Sequence, residues 1–256
     1  MTTMRLDRLL ANLGYGSRRE MQILARNGRI RLDGAIMRDI EQRAALDPDL
    51  PDRLTINGEP LDPLPGLVIM MHKPLGVTCS HKEAGPLVYR LLPDRWRLRD
   101  PAISTVGRLD KETSGLLLLT DDGALLHRII SPKHNIAKVY RAELESPLRG
   151  DEGEVFASGK LLLDGEEKPL APAKLVAISP HEAILTLHEG RYHQARRMFA
   201  AVGNHVVMLH REALGGLTLD ATLEPGEFRL LDSVEISTIF ASSDAGVEHA
   251  ARRSVT

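Results

Sequence analysis

The sequence predicts an α+β fold: a small N-terminal module built on an αα-hairpin, then a larger mixed, mostly antiparallel β-sheet with flanking helices. Apolar residues recur at helical spacing in the head of the chain, and a strand-like alternation follows them. Apolar runs separated by Gly, Pro and Asp fill residues 67–240, with helical patterns over 124–130 and 193–202. Strands and helices mixed at this density are typical of α+β proteins.

The elements of the head follow from local signals. A first helix is predicted from four leucines at helical spacing, Leu6, Leu9, Leu10 and Leu13, and it stops at Gly14. Ser17 with Glu20 three residues later forms a capping box that begins a second helix, which Gly28 ends. Residues 29–32 alternate as a half-buried strand does, and Asp33-Gly34 predicts a tight hairpin turn after them.

Composition shifts divide the chain. The module at 1–59 is followed by a proline-rich linker at 60–66, and residues 67–71 form a buried-type strand that opens a domain over 67–240. The tail, 241–256, has few large apolar residues and is predicted to be disordered.

Bulk composition fits a soluble globular protein. Hydrophobic residues make up 43% and charged residues 27% of the 256 residues, and no apolar run is long enough to cross a bilayer. The N-terminus lacks a signal-peptide pattern, and the single cysteine, Cys79, excludes an internal disulfide. A reducing cytoplasm is therefore the expected location.

Charge is distributed unevenly. The formal net charge is -2, yet the head carries a cluster of arginines: Arg5, Arg8, Arg18, Arg19, Arg26, Arg29, Arg31, Arg38 and Arg43. A basic cluster of this kind indicates nucleic-acid binding more reliably than net charge does. The alternative is a solvated basic face on a small helical domain.

The head also matches a known pattern. Arg5-Leu6-Asp7, then residues 16–19 (Gly-Ser-Arg-Arg), then 28–34 (Gly-Arg-Ile-Arg-Leu-Asp-Gly) resemble the small RNA-binding module named after the fourth small-subunit ribosomal protein. Arg18 and Arg19 fall in the first turn of the second helix, where free N–H groups and the helix dipole attract phosphate. The candidate RNA contacts are Arg5, Arg8, Arg18, Arg19, Arg29 and Arg31.

The most informative stretch is 107–123, which contains Gly-Arg-Leu-Asp-Lys-Glu-Thr-Ser-Gly. Asp110 is expected to follow a short strand and to precede a loop that holds Thr113, Ser114 and Gly115. By local chemistry alone, an aspartate at such a place caps a turn more often than it catalyses a reaction.

Further segments along the chain change that reading. Residues 107–123 resemble the aspartate motif of pseudouridine synthases in the Rsu family form, and His72-Lys73-Pro74 resembles the start of that family's catalytic domain. Lys138-Val139-Tyr140 resembles its tyrosine motif, residues 189–198 its third motif, and Leu209-His210-Arg211 the segment that follows. With the head module, these segments cover nearly the whole chain.

The resemblance implies a catalytic set of Asp110, Tyr140 and Arg196. Asp110 is implied to be the nucleophile or ribose-activating carboxylate; whether it attacks the base, attacks the ribose or begins by proton abstraction stays open. Arg196 is implied to hold this carboxylate ionised, and Tyr140 to stack on the target uracil. The implied substrate-binding residues are Arg108, which fills the space left by the flipped base, with Leu209, Arg191, His193 and Gln194.

Isomerising uridine involves no net redox change and no departing group, so no cofactor is expected. A metal is not expected either, because neither His188 with His193 nor His205 with His210 falls on one helical face.

Residues 189–198, with the residues that follow to 207, resemble the third motif of synthases that modify small-subunit (16S) rRNA. The resemblance implies 16S rRNA within a small-subunit assembly particle as the substrate and an enzyme that acts as a monomer. Two alternatives remain: a synthase acting on 23S rRNA, and a non-catalytic rRNA-binding assembly factor.

Overall fold

The computed structural model describes residues 3–81 and 83–242. The tail predicted to be disordered, 241–256, lies outside the described residues beyond Ser242. The chain forms two compact units. Unit 1 comprises 3–67, 89–104 and 120–123, and unit 2 comprises 68–88, 105–119 and 124–242.

Unit 1 contains short elements. They are β1 (Thr3–Arg5), α1 (Leu6–Asn12), α2 (Arg18–Arg26), β2 (Ile30–Leu32), β3 (Ala35–Ile36), β4 (Arg43–Ala45), α3 (Leu50–Arg53), β5 (Leu54–Ile56) and β6 (Glu59–Pro60). Strands β3-β2-β5-β6 form an antiparallel sheet, and β1 pairs with β4. The segment 89–104 includes the 3-10 helix Asp94–Leu98.

The local signals of the head are confirmed. Ser17 and Glu20 cap α2 reciprocally, through Glu20 N–H to Ser17 Oγ and Ser17 N–H to the Glu20 carboxylate. Asp33 and Gly34 both have positive φ, as a tight hairpin turn between β2 and β3 requires. The helices close on the small sheet through a core that includes Leu6, Leu9, Leu10, Leu13, Met21, Ala25, Ile30 and Leu54.

One buried carboxylate ties the start of α1 to α2. The Asp7 side chain is fully buried and accepts hydrogen bonds from the guanidinium groups of Arg5, at 3.1 and 2.9 Å, and Arg18, at 3.0 and 2.7 Å. Burial alone would raise the pKa of Asp7, but the hydrogen bonds from the two arginines lower it below its usual value of 3.8. Asp7 is therefore charged at neutral pH and holds α1 against α2.

The proline-rich segment predicted as a linker is packed within unit 1. Leu61 is 4% exposed and belongs to the core of this unit. Arg99 and Asp121 form a buried ion pair, at 2.9 Å; Arg99 also donates to Pro63 O, and Asp121 accepts from Gly66 N–H. The ion pair thus provides hydrogen-bond partners for backbone groups of Pro63 and Gly66, which lie in a segment that pairs with no β-strand.

Unit 2 is built on one large sheet. Its strands are β7 (Val68–Lys73), β8 (Ser104–Thr105), β9 (Thr113–Thr120), β10 (Lys138–Leu144), β11 (Lys174–Ser179), β12 (Glu182–Leu187), β13 (Val206–Leu214), β14 (Leu217–Thr218) and β15 (Phe228–Leu230). Its helices are α4 (Gly123–Ile130), α5 (Glu152–Ala157), α6 (Gln194–Ala201) and α7 (Ser233–Thr238). Three of these elements have one terminal residue that is assigned to unit 1: Ser104 at the start of β8, Thr120 at the end of β9 and Gly123 at the start of α4.

The strand order is β11-β12-β10-β13-β9-β7-β15, with β14 beside β13 and β8 beside β9. β13 and β9 run parallel, whereas β10 is antiparallel to both β12 and β13, and β15 is antiparallel to β7. The predicted α+β class with a mixed, mostly antiparallel sheet is confirmed. The helices predicted at 124–130 and 193–202 agree with α4 and α6 to within one residue at each end.

The predicted loop at Thr113, Ser114 and Gly115 is wrong. These residues begin strand β9, and all eight residues of that strand are buried. The polar residues and the glycine suggest a loop locally, but parallel pairing with Leu209, His210 and Arg211 of β13 supplies their backbone hydrogen bonds. Tertiary pairing thus overrides the local signal. No helix in the described part of the chain is long and apolar enough to cross a membrane.

We predict that Asp7→Asn destabilises the protein by about 2 kcal/mol, because it removes a buried charge that two half-exposed arginines share. The measurement is urea unfolding of the full chain at neutral pH and in mild acid. Because the pKa of Asp7 is lowered on folding, its contribution is present above about pH 4 and declines as the pH falls through the folded-state pKa. The deficit of the variant should therefore shrink in acid.

Asp52→Asn, at an exposed position in the same unit, is the matched control and should leave the unfolding free energy within about 0.5 kcal/mol. Equal stability of the Asp7→Asn variant and the wild type at neutral pH would contradict the structural role of the buried carboxylate.

Candidate active site

A cleft of about 360 Å³ opens in unit 2, beside the ends of β9, β10 and β13 and the start of α6. Seven of the eight residues predicted for catalysis and substrate binding line it: Arg108, Asp110, Tyr140, Arg191, His193, Gln194 and Leu209. They come from four separate segments of the chain, which the sheet brings together.

Asp110 lies in the turn that leads into β9, and the backbone of this turn is fixed at several points. Thr113 N–H donates to Asp110 O at 3.0 Å, and Gly76 N–H donates to Lys111 O at 2.9 Å. The buried Lys73 donates from Nζ to Thr113 O at 2.8 Å. The carboxylate itself is 35% exposed, and a His193 Nε2 lies 3.4 Å from its Oδ1. Asp110 is thus held rigidly by its backbone while its carboxylate faces the cleft.

The floor of the cleft follows from the alternation of side chains in β10 and β13. Tyr140 lies opposite Arg211 in the antiparallel pair, and Lys138 and Leu209 each lie two residues away on the same face. The opposite face of these strands carries Arg141, which is ion-paired with Glu182 and Glu212. One face of the sheet therefore serves the cleft, and the other forms a separate polar cluster.

Gly115 permits the close approach of β9 and β13. Its φ is +105°, and a Cβ at this position would lie 2.3 Å from Arg211 O and 2.6 Å from Arg211 N. Any side chain would force the strands apart. This glycine therefore sets the distance between the Asp110 turn on β9 and the Leu209–Arg211 segment on β13.

The predicted pairing of Arg196 with Asp110 is not present, and Arg196 does not line the cleft. Its Nη1 donates to Val206 O at 2.7 Å, and its Nη2 donates to Glu112 O at 2.7 Å. These carbonyls lie at the beginning of β13 and just before β9, where a planar guanidinium can serve two backbone acceptors at once. In this structure Arg196 fastens the turn that carries Asp110 instead of touching the carboxylate.

One wall of the cleft is held by a polar network. Arg191 donates to Lys168 O at 2.7 Å, to Pro169 O at 2.6 Å and to the carboxylate of Glu166 at 3.1 Å. Gln194 is 4% exposed. Its Nε2 donates a hydrogen bond to the carboxylate of Glu189, and its Oε1 accepts one from Arg191 N–H. The donors of these two predicted substrate-binding residues are thus engaged in shaping the wall.

The rim of the cleft carries an exposed aromatic ring. Tyr192 is 72% exposed and stacks on His193, with ring centroids 4.0 Å apart and planes inclined by 16°. His193 has a positive φ of 48° at the N-cap of α6, which turns its ring toward Asp110. A flat pair of rings at the mouth of a cleft suits contact with a nucleobase.

Positive charge is concentrated under the cleft. Burial lowers the pKa of Lys73 and of Lys138, and the charge of Arg211 lowers both further. Asp110 and Glu189 act in the opposite direction, on Lys73 and Lys138 respectively. The floor therefore favours an anionic or electron-rich group.

The candidate RNA contacts in unit 1 divide into two groups. Arg5 and Arg18 hold Asp7, and Arg31 donates to Gly34 O, so these three side chains also serve the fold. Arg8, Arg19 and Arg29 are exposed and make no side-chain hydrogen bond or ion pair with residues 3–81 or 83–242.

Four further residues at or beside the cleft fall within the family-like segments, but sequence reasoning gave them no role in the site: Lys73, Lys138, Tyr192 and Arg211. Lys138 and Arg211 could have been found from the strand period of two, which places each on the face of an already chosen neighbour, Tyr140 or Leu209. Lys73 and Tyr192 carry no such signal. No cluster of three potential metal ligands occurs in the described ranges.

Two family models match the chain. RNA pseudouridylate synthase matches residues 67–201, and the S4 domain matches residues 4–44. The chain is 40% identical over 241 residues to the ribosomal small subunit pseudouridine synthase A of Vibrio cholerae, covering 93% of this chain and all of that protein. It is 43% identical over 240 residues to the protein of the same name from Escherichia coli K12, covering 92% and 100%.

A solved structure described as a pseudouridylate synthase superposes with a TM-score of 0.65 at 36% identity, covering 92% of this chain and 99% of that one. The chain therefore belongs to the RNA pseudouridylate synthase family and carries an S4 domain at its N-terminus. It is an enzyme that isomerises uridine to pseudouridine.

We predict that Gly115→Ala lowers the free energy of unfolding by about 3 kcal/mol, because a Cβ would overlap the backbone of Arg211. The same change should reduce activity in the folded fraction by moving the Asp110 turn relative to β13. Thermal unfolding and a tritium-release or mass-spectrometric assay of pseudouridine measure the two effects.

Gly123→Ala is the control, since a Cβ there would meet nothing within 4 Å and alanine favours the helix that begins at this residue. If the Gly115→Ala variant had the stability and the rate of the wild type, neither property would depend on the close approach of β9 to β13.

Proposed function

We propose that this enzyme converts one uridine of small-subunit (16S) rRNA to pseudouridine, with Asp110 as the catalytic residue. The observation that carries the proposal is the convergence of Asp110, Tyr140 and Leu209 on one cleft. The relatives from Vibrio cholerae and Escherichia coli are named as small-subunit enzymes and are similar over their full lengths, which favours 16S rRNA over 23S rRNA.

The position of Asp110 supports catalysis by its carboxylate. A group that must attack carbon or remove a proton needs an accessible oxygen and a fixed backbone, and Asp110 has both. His193 lies within ion-pair distance and can orient the carboxylate. The three possible first steps, attack on the ring, attack on the ribose and proton abstraction, all begin from an oxygen of this carboxylate.

Base flipping brings the uridine to the carboxylate. A uridine within a stacked RNA cannot reach a group inside a cleft, so it must leave the stack at a cost of a few kcal/mol. Arg108 is exposed at the edge of the cleft and makes no side-chain hydrogen bond or ion pair with the described residues, so it is free to enter the vacated space. Tyr140 offers a ring on which the flipped uracil stacks, and Leu209 closes the pocket beside it.

Arg196 contributes through the backbone in this proposal. It fixes Glu112 O, two residues after Asp110, and so holds the catalytic turn against α6 and β13. We retain Arg196 in the catalytic set as a positioning residue.

The N-terminal module, 1–59, supplies RNA affinity, and the domain over 67–240 supplies the chemistry. The exposed arginines Arg8, Arg19 and Arg29 are available for phosphate contacts. Such contacts position the enzyme on a folded RNA and leave the choice of uridine to the cleft. The substrate would be rRNA in a small-subunit assembly particle, with the enzyme acting as a monomer in the cytoplasm.

We predict that Asp110→Asn abolishes pseudouridine formation while RNA binding changes by less than about threefold, since the amide is similar in size and cannot act as a nucleophile or base. Single-turnover conversion of in vitro transcribed 16S rRNA measures the rate, and filter binding measures the Kd. Asp164→Asn, at an exposed position of the same unit, should retain the wild-type rate. If the Asp110→Asn variant formed pseudouridine, the Asp110 carboxylate would not be required for catalysis.

The target is tested in cells that lack the gene, complemented with the wild type or Asp110→Asn, by mapping pseudouridine in both rRNAs. One 16S position restored only by the wild type is expected. If the restored position lay in 23S rRNA, the protein would still be a pseudouridine synthase but its substrate would be the large-subunit rRNA. If no position changed in either rRNA, modification of rRNA by this enzyme would be contradicted.

For the head, we predict that Arg8→Ala, Arg19→Ala and Arg29→Ala together weaken RNA binding and reduce the dependence of log Kd on log salt by about two to three counterions, because each arginine neutralises one phosphate. Titrations between 50 and 300 mM salt, roughly the range in which such effects are large, measure the slope. Lys160→Ala, exposed in unit 2, is the control. An unchanged slope would place the RNA contacts elsewhere.

A further inference from the structure

Arg211 is an arginine buried within the large sheet of unit 2. It lies in the middle of β13, is 2% exposed and is among the largest fully buried side chains. Its Nε donates to Leu116 O at 2.7 Å, whereas its Nη2 is buried without a hydrogen-bond partner in the described structure. A guanidinium cannot lose its proton in a protein, so the unmatched donor is a cost that the fold retains.

The position of Arg211 relates this donor to the proposed site of the base. Arg211 lies directly opposite Tyr140 in the β10–β13 pair, and it follows Leu209 by two residues on the same face. All three residues line the cleft together with Asp110. The guanidinium therefore lies beneath the surface on which Tyr140 and Leu209 would hold the flipped uracil.

No carboxylate neutralises this charge. Among residues 3–81 and 83–242, Arg211 has no ion-pair partner, and its charge adds to burial in lowering the pKa of Lys73 and of Lys138. By contrast, Arg141 on the opposite face of the same sheet is paired with two glutamates. The charge of Arg211 is thus left for a group that enters the cleft.

The chemistry supplies such a group at one moment. When the bond between ring N1 and ribose C1′ breaks, its electron pair stays on the uracil and spreads over N1, O2 and O4. Attack of a carboxylate on the ring would likewise place negative charge on a carbonyl oxygen. After the ring rejoins the ribose through C5, C5 loses its proton and N1 gains one, so no net charge remains. On each route the base is anionic only in passing.

We propose that Arg211 is a further catalytic residue, whose Nη2 donates a hydrogen bond to a carbonyl oxygen of the flipped uracil and stabilises the charge that the ring gains during the reaction. The inference rests on the proposed function of the Asp110 cleft. A pre-positioned buried donor of this kind contributes most where water is excluded and charge develops. The alternative is that Arg211 only joins β13 to β9 through Leu116 O.

The test uses Arg211→Gln, which keeps N–H donors for the strand contact but has no charge. We expect the single-turnover rate on 16S rRNA transcript to fall by about 100-fold or more, the effect of losing one such donor, while the Kd for the same RNA changes by less than about threefold. A purely structural Arg211 would lower the Tm and leave the rate of the folded enzyme unchanged, and that outcome overturns the proposal.

Rescue separates charge from packing. In Arg211→Ala, guanidinium at tens of millimolar, well below denaturing levels, should restore a measurable part of the rate, whereas urea at equal concentration should not. Rescue by both or by neither in a folded variant would contradict a role for the charge. Arg141→Met, which removes an arginine from the opposite face, is the matched control and should lose stability but keep its rate.

If Arg211→Gln does not fold, Arg211→Lys gives the decision. Its single nitrogen cannot occupy the positions of both Nε, which serves Leu116 O, and Nη2, which would reach the base, so a rate loss of tenfold or more is expected in the folded protein; a wild-type rate overturns the proposal. Failure of the proposed function is distinguishable, since the wild-type enzyme would then modify neither the 16S transcript nor 16S rRNA within a small-subunit assembly particle.

Discussion

The parallel contact between β9 and β13 is the constraint on which the active site depends. Thr113, Ser114 and Gly115 pair with residues 209–211, and at Gly115 the two backbones approach so closely that no side chain fits. Through this contact, the turn that carries Asp110 meets the strand that carries Leu209 and Arg211, although about a hundred residues of chain separate them. Arg196 and Lys73 then fasten the turn through Glu112 O and Thr113 O.

The pleat of the sheet then decides which side chains share the cleft. Because β10 and β13 are antiparallel neighbours, the alternation that points Tyr140 into the cleft also points Arg211 there and turns Arg141 to the other face. On that other face, arginine and glutamates neutralise one another. On the cleft face Lys138 and Arg211 are not paired in this way within the described residues, so this face favours a negatively charged group.

The sequence predicted the fold class, the capped helix α2, the hairpin turn at Asp33 and helices α4 and α6, because each rests on local signals such as caps, turns and periodicity. It also selected seven residues that meet in the cleft, through motifs and not through geometry. It failed where pairing between distant segments decides: the strand at Thr113–Thr120 looks like a loop at its start. The partners of Arg196 are backbone carbonyls of two other elements, which no residue pattern specifies.

The two buried charges of Asp7 and Arg211 have opposite hydrogen-bonding environments. Asp7 is surrounded by guanidinium donors and is satisfied in the free protein, so its charge serves stability. Arg211 is equally buried but keeps a donor without a partner, so the free enzyme carries a cost that tighter packing or a neighbouring carboxylate would remove. A carboxylate placed there would, however, neutralise the field before the reaction needs it. The unmatched donor is consistent with a site arranged for a transient anion rather than for its resting state.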